Sequence, residues 1–270
     1  MILVNGVPSD VIAVTDRGLA YGDGVFRTLA VRGGKPQHWP RHYVRMRSDC
    51  AALGMTCPDE AVLQADLMQA VGRESDCVAK ITITRGPGER GYAQPPIATP
   101  TRIVMTSALP QYPSDFSVRG IKARICKLRL GFQPALAGIK HLNRLENVLA
   151  RREWSDPAIA EGLLLDAENN VIEGTMSNLF IVERGTLITP DLSRCGVAGV
   201  TRERVIESAA RHDVRCQVTA VAHERLLKAD EILLVNSIIG VWQVRELDDK
   251  IRVPGTFVER VRQWLDEESV

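Results

Sequence analysis

AGIKHLNRLENVLAR, residues Ala137–Arg151, sets an apolar, glycine-containing approach directly against a helix-like run in which Leu142, Leu145 and Leu149 share one face. Lys140 stands at that junction beside Gly138 and Ile139. Two readings follow from the residues alone. A lysine here is either an ordinary surface or junction residue, or a partly desolvated amine available for Schiff-base chemistry. Downstream, EGLLLDAENNVIEG reads as two strands joined at Asn169-Asn170, delivering Glu173 at a strand end. TRERVIESAARH reads as a helix abutting Gly199 and Val200, and ADEILLVNS as a buried strand. PGTFVERVRQWLDEE closes the chain as a helix with Phe257, Val261 and Leu265 aligned.

Upstream, ILVNG and VIAV read as a hairpin turning around Pro8 to Asp10, and FRTLAV and KPQHW as another turning at Gly33-Gly34. Helices are expected from about Pro40 to Leu53, with Tyr43, Met46 and Cys50 at helical spacing, and from about Pro58 to Val71. The strands VAKITITR and TRIVMTSAL bracket a glycine- and proline-rich loop, Gly86 to Pro100, whose length suits either a functional loop or a flexible crossing. ALPQYPSDFSVRG breaks both periodicities and is the natural linker. The expected division is residues 1–112, a linker at 113–120, and residues 121–270.

At 270 residues two domains are the better expectation. A formal net charge of +1 provides no global field for nucleic acid or an acidic membrane. The longest apolar runs, such as Ile232 to Trp242, are shorter than the roughly 20 residues of a membrane helix. MILVNGVPSD lacks the pattern of a secretory signal, so a cytoplasmic setting is expected. The cysteines at 50, 57, 77, 126, 195 and 216 form no C-x-x-C pair and read as reduced and structural, and the histidines show no metal-binding spacing.

Further segments join the opening stretch: DRGLAYGDGVFRTLAV (Asp16–Val31), RHYVRM (Arg41–Met46), ITRGPGERGY (Ile83–Tyr92), VIEGTMSNLFIV (Val171–Val182), GVAGVTRERV (Gly196–Val205) and EILLVNSIIGVWQV (Glu231–Val244). In this order they resemble the fold-type IV family of pyridoxal-phosphate enzymes. That family comprises D-amino-acid and branched-chain aminotransferases and a lyase branch acting on 4-amino-4-deoxychorismate. The resemblance implies a mixed α/β (α+β) fold, with a smaller N-terminal α/β domain and a larger, β-barrel-like C-terminal domain with flanking helices. It also implies pyridoxal 5'-phosphate as cofactor, a homodimer, and neither nucleic acid nor membrane as partner.

Residue by residue, the resemblance makes Lys140 the cofactor lysine and general base, and Glu173 the carboxylate that keeps the pyridine nitrogen protonated. Arg45, Val200, Thr201 and Ser237 would receive the phosphate. Read without the family, Glu173 is a turn residue facing water, Arg45 a solvated helix-face arginine and Thr201 an ordinary cap. Asn178 also matches a family asparagine, here assigned a structural role. Branched-chain aminotransferases carry a tyrosine five positions beyond the lysine, where this chain has Leu145, and Thr28 matches a threonine of the lyase branch. Thr28 is either close to the reacting carbons or a plain strand threonine. The implied reaction is β-elimination of 4-amino-4-deoxychorismate to 4-aminobenzoate and pyruvate, a step of folate synthesis. Its two carboxylates call for cations, for which Arg27, Arg85, Arg90 and Arg102 are candidates, although alternation along FRTLAV can turn Arg27 away. The competing readings are a D-amino-acid or branched-chain aminotransferase and a non-catalytic pyridoxal-phosphate-binding protein.

Overall fold

Residues 1–268 are described by the computed structural model, and one short segment, Ile139–Asn143, leaves its sequence neighbours to join the N-terminal unit. That first unit is otherwise Met1–Gln111; the second is Tyr112–Gly138 with the chain from Arg144 onward. The expected linker 113–120 thus lies within the second unit, where Asp115–Val118 is helical, and the segment holding Lys140 belongs to the first.

The first unit runs β1 (Ile2–Val4), β2 (Val7–Pro8), α1 (Arg17–Tyr21), β3 (Gly24–Arg32), β4 (Lys35–Pro36), α2 (Trp39–Ala52), α3 (Glu60–Val71), β5 (Cys77–Thr84) and β6 (Thr101–Ser107). Its strands form one antiparallel sheet in the order β2-β1-β6-β5-β3-β4. The first hairpin turns at Asn5-Gly6, both at positive φ (52° and 81°), not around Pro8 to Asp10; Val11–Val14 is not a strand. Asn-Gly outcompetes proline for a two-residue turn because both central residues must adopt positive φ. The Gly33-Gly34 turn stands where expected. On β3, Val25, Leu29 and Val31 face Met46 and Cys50 of α2 and Leu67 of α3 in one core, while the alternate residues Phe26 and Thr28 take the sheet's other face.

Ile139–Asn143 extends this sheet beside β3. The Phe26 N–H donates to the Lys140 carbonyl and the Leu142 N–H to the Gly24 carbonyl, both at 3.0 Å, with Val25 bridged to His141. Lys140 is therefore in extended chain, not at the head of a helix as expected.

The second unit runs α4 (Asp115–Val118), β7 (Ile121–Leu130), α5 (Leu145–Arg151), β8 (Ile159–Asp166), β9 (Val171–Gly174), β10 (Asn178–Glu183), β11 (Thr186–Pro190), α6 (Val200–Arg211), β12 (Cys216–Thr219), α7 (His223–Lys228), β13 (Glu231–Asn236), β14 (Gly240–Leu247), β15 (Lys250–Ile251) and α8 (Phe257–Glu267). Pairing in the order β10-β13-β14-β7-β8-β9 returns to β10 through the pair Glu173–Asn178, closing a barrel. Its strands read as near-continuous apolar runs because both faces are covered. Leu163, Leu179, Ile232 and Leu234 fill the interior, whereas Phe180 and Leu233 pack beneath Val205 of α6 and Val261 of α8. The expected α5 stripe is different: Leu145 is 74% exposed and Leu149 also faces outward, so this face packs into no core of its own chain. Among the described residues no helix is long and apolar enough to cross a membrane.

Candidate active site

In the first unit, alternation along the added segment sends Ile139 into the core and Lys140 the other way. The Lys140 Nζ lies 4.7 Å from the centroid of the Phe26 ring, on the face that also carries Thr28. Its main chain is fixed from the core side, where the Lys140 N–H donates to Asp49 Oδ2 at 3.2 Å. The same carboxylate accepts from Arg27 Nη2, and both side chains are buried. Burial raises the Asp49 carboxyl and lowers the Arg27 guanidinium, while their mutual attraction works the other way. Arg45, one helical turn before Asp49, adds its charge to both and holds a buried Nε without a hydrogen-bond partner.

Of the arginines expected to meet substrate, Arg27 turns to the core face and is 2% exposed. Arg85 commits its guanidinium to Asp23 (2.7 and 3.0 Å) and to the carbonyls of Leu53 and Gly54 (2.8 Å each). Arg102 pairs with Asp66 at 2.7 Å. These three serve internal pairs, and for the buried Arg27 and Arg85 the reason is that a buried guanidinium demands a carboxylate of its own. Arg90 stays exposed on the Gly86–Pro100 loop, whose middle is tied down by Arg17 donating to the carbonyls of Gly91, Tyr92 and Ala93.

In the second unit, Glu173 is 3% exposed, not a turn residue facing water. A β-bulge aims it. Leu165 pairs with Val171 and Leu164 with Glu173, so Ile172 is the extra residue, and Glu173 turns to the outer face with Leu164. There its Oε2 accepts the Val197 N–H at 2.9 Å. Gly196, at φ +87°, has no room for a side chain: a Cβ would fall 2.7 Å from Ile172 and 3.5 Å from the Glu173 carboxylate. Asn178 clamps the same loop, donating to the Val197 carbonyl (2.7 Å) and accepting the Gly199 N–H (3.0 Å). The loop delivers α6, whose cap residue Gly199 offers no side-chain hydrogen bond to the first helical N–H groups of Val200 and Thr201. The Thr201 and Ser237 hydroxyls lie 3.3 Å apart. Helix start and hydroxyls together can receive an anion, and the buried Glu173 can hold a cationic ring nitrogen.

Four features escaped the sequence reading. Asp49 was signalled only by its i+4 spacing from Arg45. Arg144 feels the charge of Glu173, which opposes the lowering of its pKa by burial. The Val197 N–H had no signal at all. Glu161, 1% exposed, accepts from the Thr175 and Ser177 hydroxyls (2.5 and 2.8 Å) and from the N–H groups of Gly162, Thr175 and Met176. It locks the turn between Glu173 and Asn178. Its place in the apolar run EGLLLD gave no hint.

This fold, with a buried carboxylate in a barrel wall and an anion-ready helix start beside it, defines a class. The chain belongs to the family described as Amino-transferase class IV, whose pattern matches residues 24–247. It is similar to the aminodeoxychorismate lyase of Vibrio harveyi, at 36% identity over 98% of this chain and 100% of the relative. It also resembles the crystal structure of 4-amino-4-deoxychorismate lyase from Pseudomonas aeruginosa, at 45% identity and a TM-score of 0.95, over 99% of each chain. The D-alanine aminotransferase of Bacillus licheniformis is 24% identical over 94% of this chain and 90% of the relative.

Proposed function

We propose that the protein is a pyridoxal-phosphate-dependent lyase that converts 4-amino-4-deoxychorismate to 4-aminobenzoate and pyruvate. The full-length likeness to aminodeoxychorismate lyases carries this reading. The residues fit the cofactor: the start of α6 without a side-chain cap, the Thr201–Ser237 hydroxyl pair and the buried, unpartnered Nε of Arg45 all suit a phosphate dianion. Glu173, which accepts the Val197 N–H, would hold a proton on the pyridine nitrogen. Lys140 would provide the covalent anchor.

When bound, pyridoxal phosphate supplies an electron sink for charge developing at the carbon that bears the substrate's nitrogen. The Lys140 amine takes the proton from that carbon. The bond from the neighbouring carbon to the enolpyruvyl oxygen breaks, the ring becomes aromatic, and the departing enolpyruvate gains a proton from Lys140 or through the Thr28 hydroxyl. Atoms balance without net consumption of water. Aromatisation drives the step forward and disfavours transamination. Of the expected substrate arginines, Arg90 alone lacks an internal pair among the described residues.

A homodimer and a cytoplasmic setting belong to the same proposal. The outward Leu145, Val148 and Leu149 of α5 support the first, and six cysteines without a disulfide support the second.

The test supplies chorismate, glutamine and aminodeoxychorismate synthase and measures both products. Equal amounts of pyruvate and 4-aminobenzoate without any keto acid are expected. Efficient conversion of bound cofactor to its pyridoxamine form by D-alanine or leucine, with no 4-aminobenzoate, would instead make the protein an aminotransferase. Cofactor binding with neither activity would make it a carrier.

A further inference from the structure

A cavity of about 440 Å³ opens on the second unit where the end of α4, β14 and the start of α8 come together. It shares no residue with those proposed to hold the cofactor or the substrate. Among the described residues its wall carries the guanidinium groups of Arg119, Arg245 and Arg262 and the carboxylate of Glu259. Two of these cations are committed. Arg262 donates to the Glu259 carboxylate at 2.7 Å and twice to the Val241 carbonyl, at 3.3 and 3.0 Å. Arg119 meets Asp115, four residues before it, at 3.5 Å. Arg245 is different: its side chain makes no hydrogen bond or ion pair among the described residues, and its Nε is buried without a partner. Its stem has a fixed seat. Gly120, at φ +80°, sits so close that a Cβ there would fall 2.1 Å from the Arg245 Cγ, so the stem runs flat along the main chain and holds the guanidinium at the cavity wall. Val118, Pro254 and Val258 give the same cavity apolar surface.

We propose that this cavity binds a small organic monocarboxylate, with its charge on Arg245 and its apolar body against Val118, Pro254 and Val258. A planar guanidinium takes a carboxylate through two parallel N–H groups, which gives the buried Nε the acceptor it lacks. One uncommitted cation matches one negative charge. A second charge on the ligand would meet Glu259 on the same wall, which disfavours a phosphate dianion. The volume, about 440 Å³, is that of a small-molecule site and far exceeds what a lone inorganic ion fills. A ligand seated there ties α4 to β14 and α8, so its binding stabilises the second unit.

The test titrates the holoenzyme with benzoate, and with inorganic phosphate as the comparison, by calorimetry and thermal melting. Wild type should bind benzoate, with a melting temperature that rises with its concentration. Arg245→Gln should weaken that binding about tenfold or more, because the ligand's charge loses its partner. Val118→Asp, at a position 82% exposed where folding tolerates change, should weaken it as much by setting a like charge against the ligand. The visible absorbance of the bound cofactor should stay unchanged in both variants. Phosphate should bind at least about tenfold more weakly than benzoate. Absence of benzoate binding to wild type would overturn the proposal. So would wild-type affinity in Arg245→Gln, which places benzoate elsewhere, the substrate pocket included, and so would phosphate binding as tight as that of benzoate, which makes the cavity a site for inorganic anions.

Discussion

Lys140 and Asp49, 91 positions apart, are joined by a main-chain N–H to carboxylate hydrogen bond of 3.2 Å, so helix α2 positions the strand-like segment that carries the lysine. The carboxylate also neutralises the buried Arg27. Asp49→Ala should therefore lower stability by about 3–5 kcal/mol, because a buried guanidinium loses its partner. Asp49→Asn should cost less, since the amide oxygen can still accept the Lys140 N–H. Urea unfolding checks this; an Asp49→Ala midpoint equal to wild type would contradict the buried pair.

Glu173→Gln should keep the cofactor and lose turnover by about a hundredfold or more, because a neutral amide cannot hold a proton on the ring nitrogen. The comparison is kcat against the visible spectrum. A variant with near-normal kcat would remove Glu173 from the chemistry.

The architecture was legible where local rules decide it. The alternation of β3, the spacing of Tyr43, Met46 and Cys50 and the apolar run Ile232–Val235 all reported burial correctly. Long-range pairings were not legible. Nothing in AGIKHLN says that it lies along β3, and a bulge at Ile172 leaves no mark in the apolar pattern that it reverses. The α5 leucines misled, because an apolar stripe announces burial without saying against which surface.

Glu161→Ala removes the acceptor for two hydroxyls and two N–H groups in the turn from Gly174 to Ser177 and for the Gly162 N–H on β8. Buried donors left unpaired cost about 1–3 kcal/mol each, so a loss of at least about 3 kcal/mol is expected. Affinity for pyridoxal phosphate should fall with it, since the turn also receives Asn236, next to Ser237, at the Met176 carbonyl. Undiminished cofactor affinity, measured by titration, would confine Glu161 to stability.

Asp23 binds Arg17 and Arg85 together (2.9 and 2.7 Å). Burial raises its carboxyl, but the hydrogen bonds and charges of Arg85 and Arg17 outweigh burial and hold it below the ordinary 3.8. A lowered folded-state pKa means stability that is present above the unfolded value and lost as pH falls through the folded one. Asp23→Asn should thus be less stable than wild type at pH 7, by about 1–3 kcal/mol for a half-buried pair partly screened by solvent. The gap should narrow below about pH 4. Denaturation at both pH values reads it; a gap that is independent of pH would contradict the ionic pairing.

The central claim is that Lys140, held on the Phe26 and Thr28 face, is the lysine that bears the cofactor. Borohydride reduction of the holoenzyme followed by peptide mapping tests it directly. The pyridoxyl group should be found on the peptide containing Lys140, with activity lost in proportion to labelling. Its recovery on any other lysine would contradict the account.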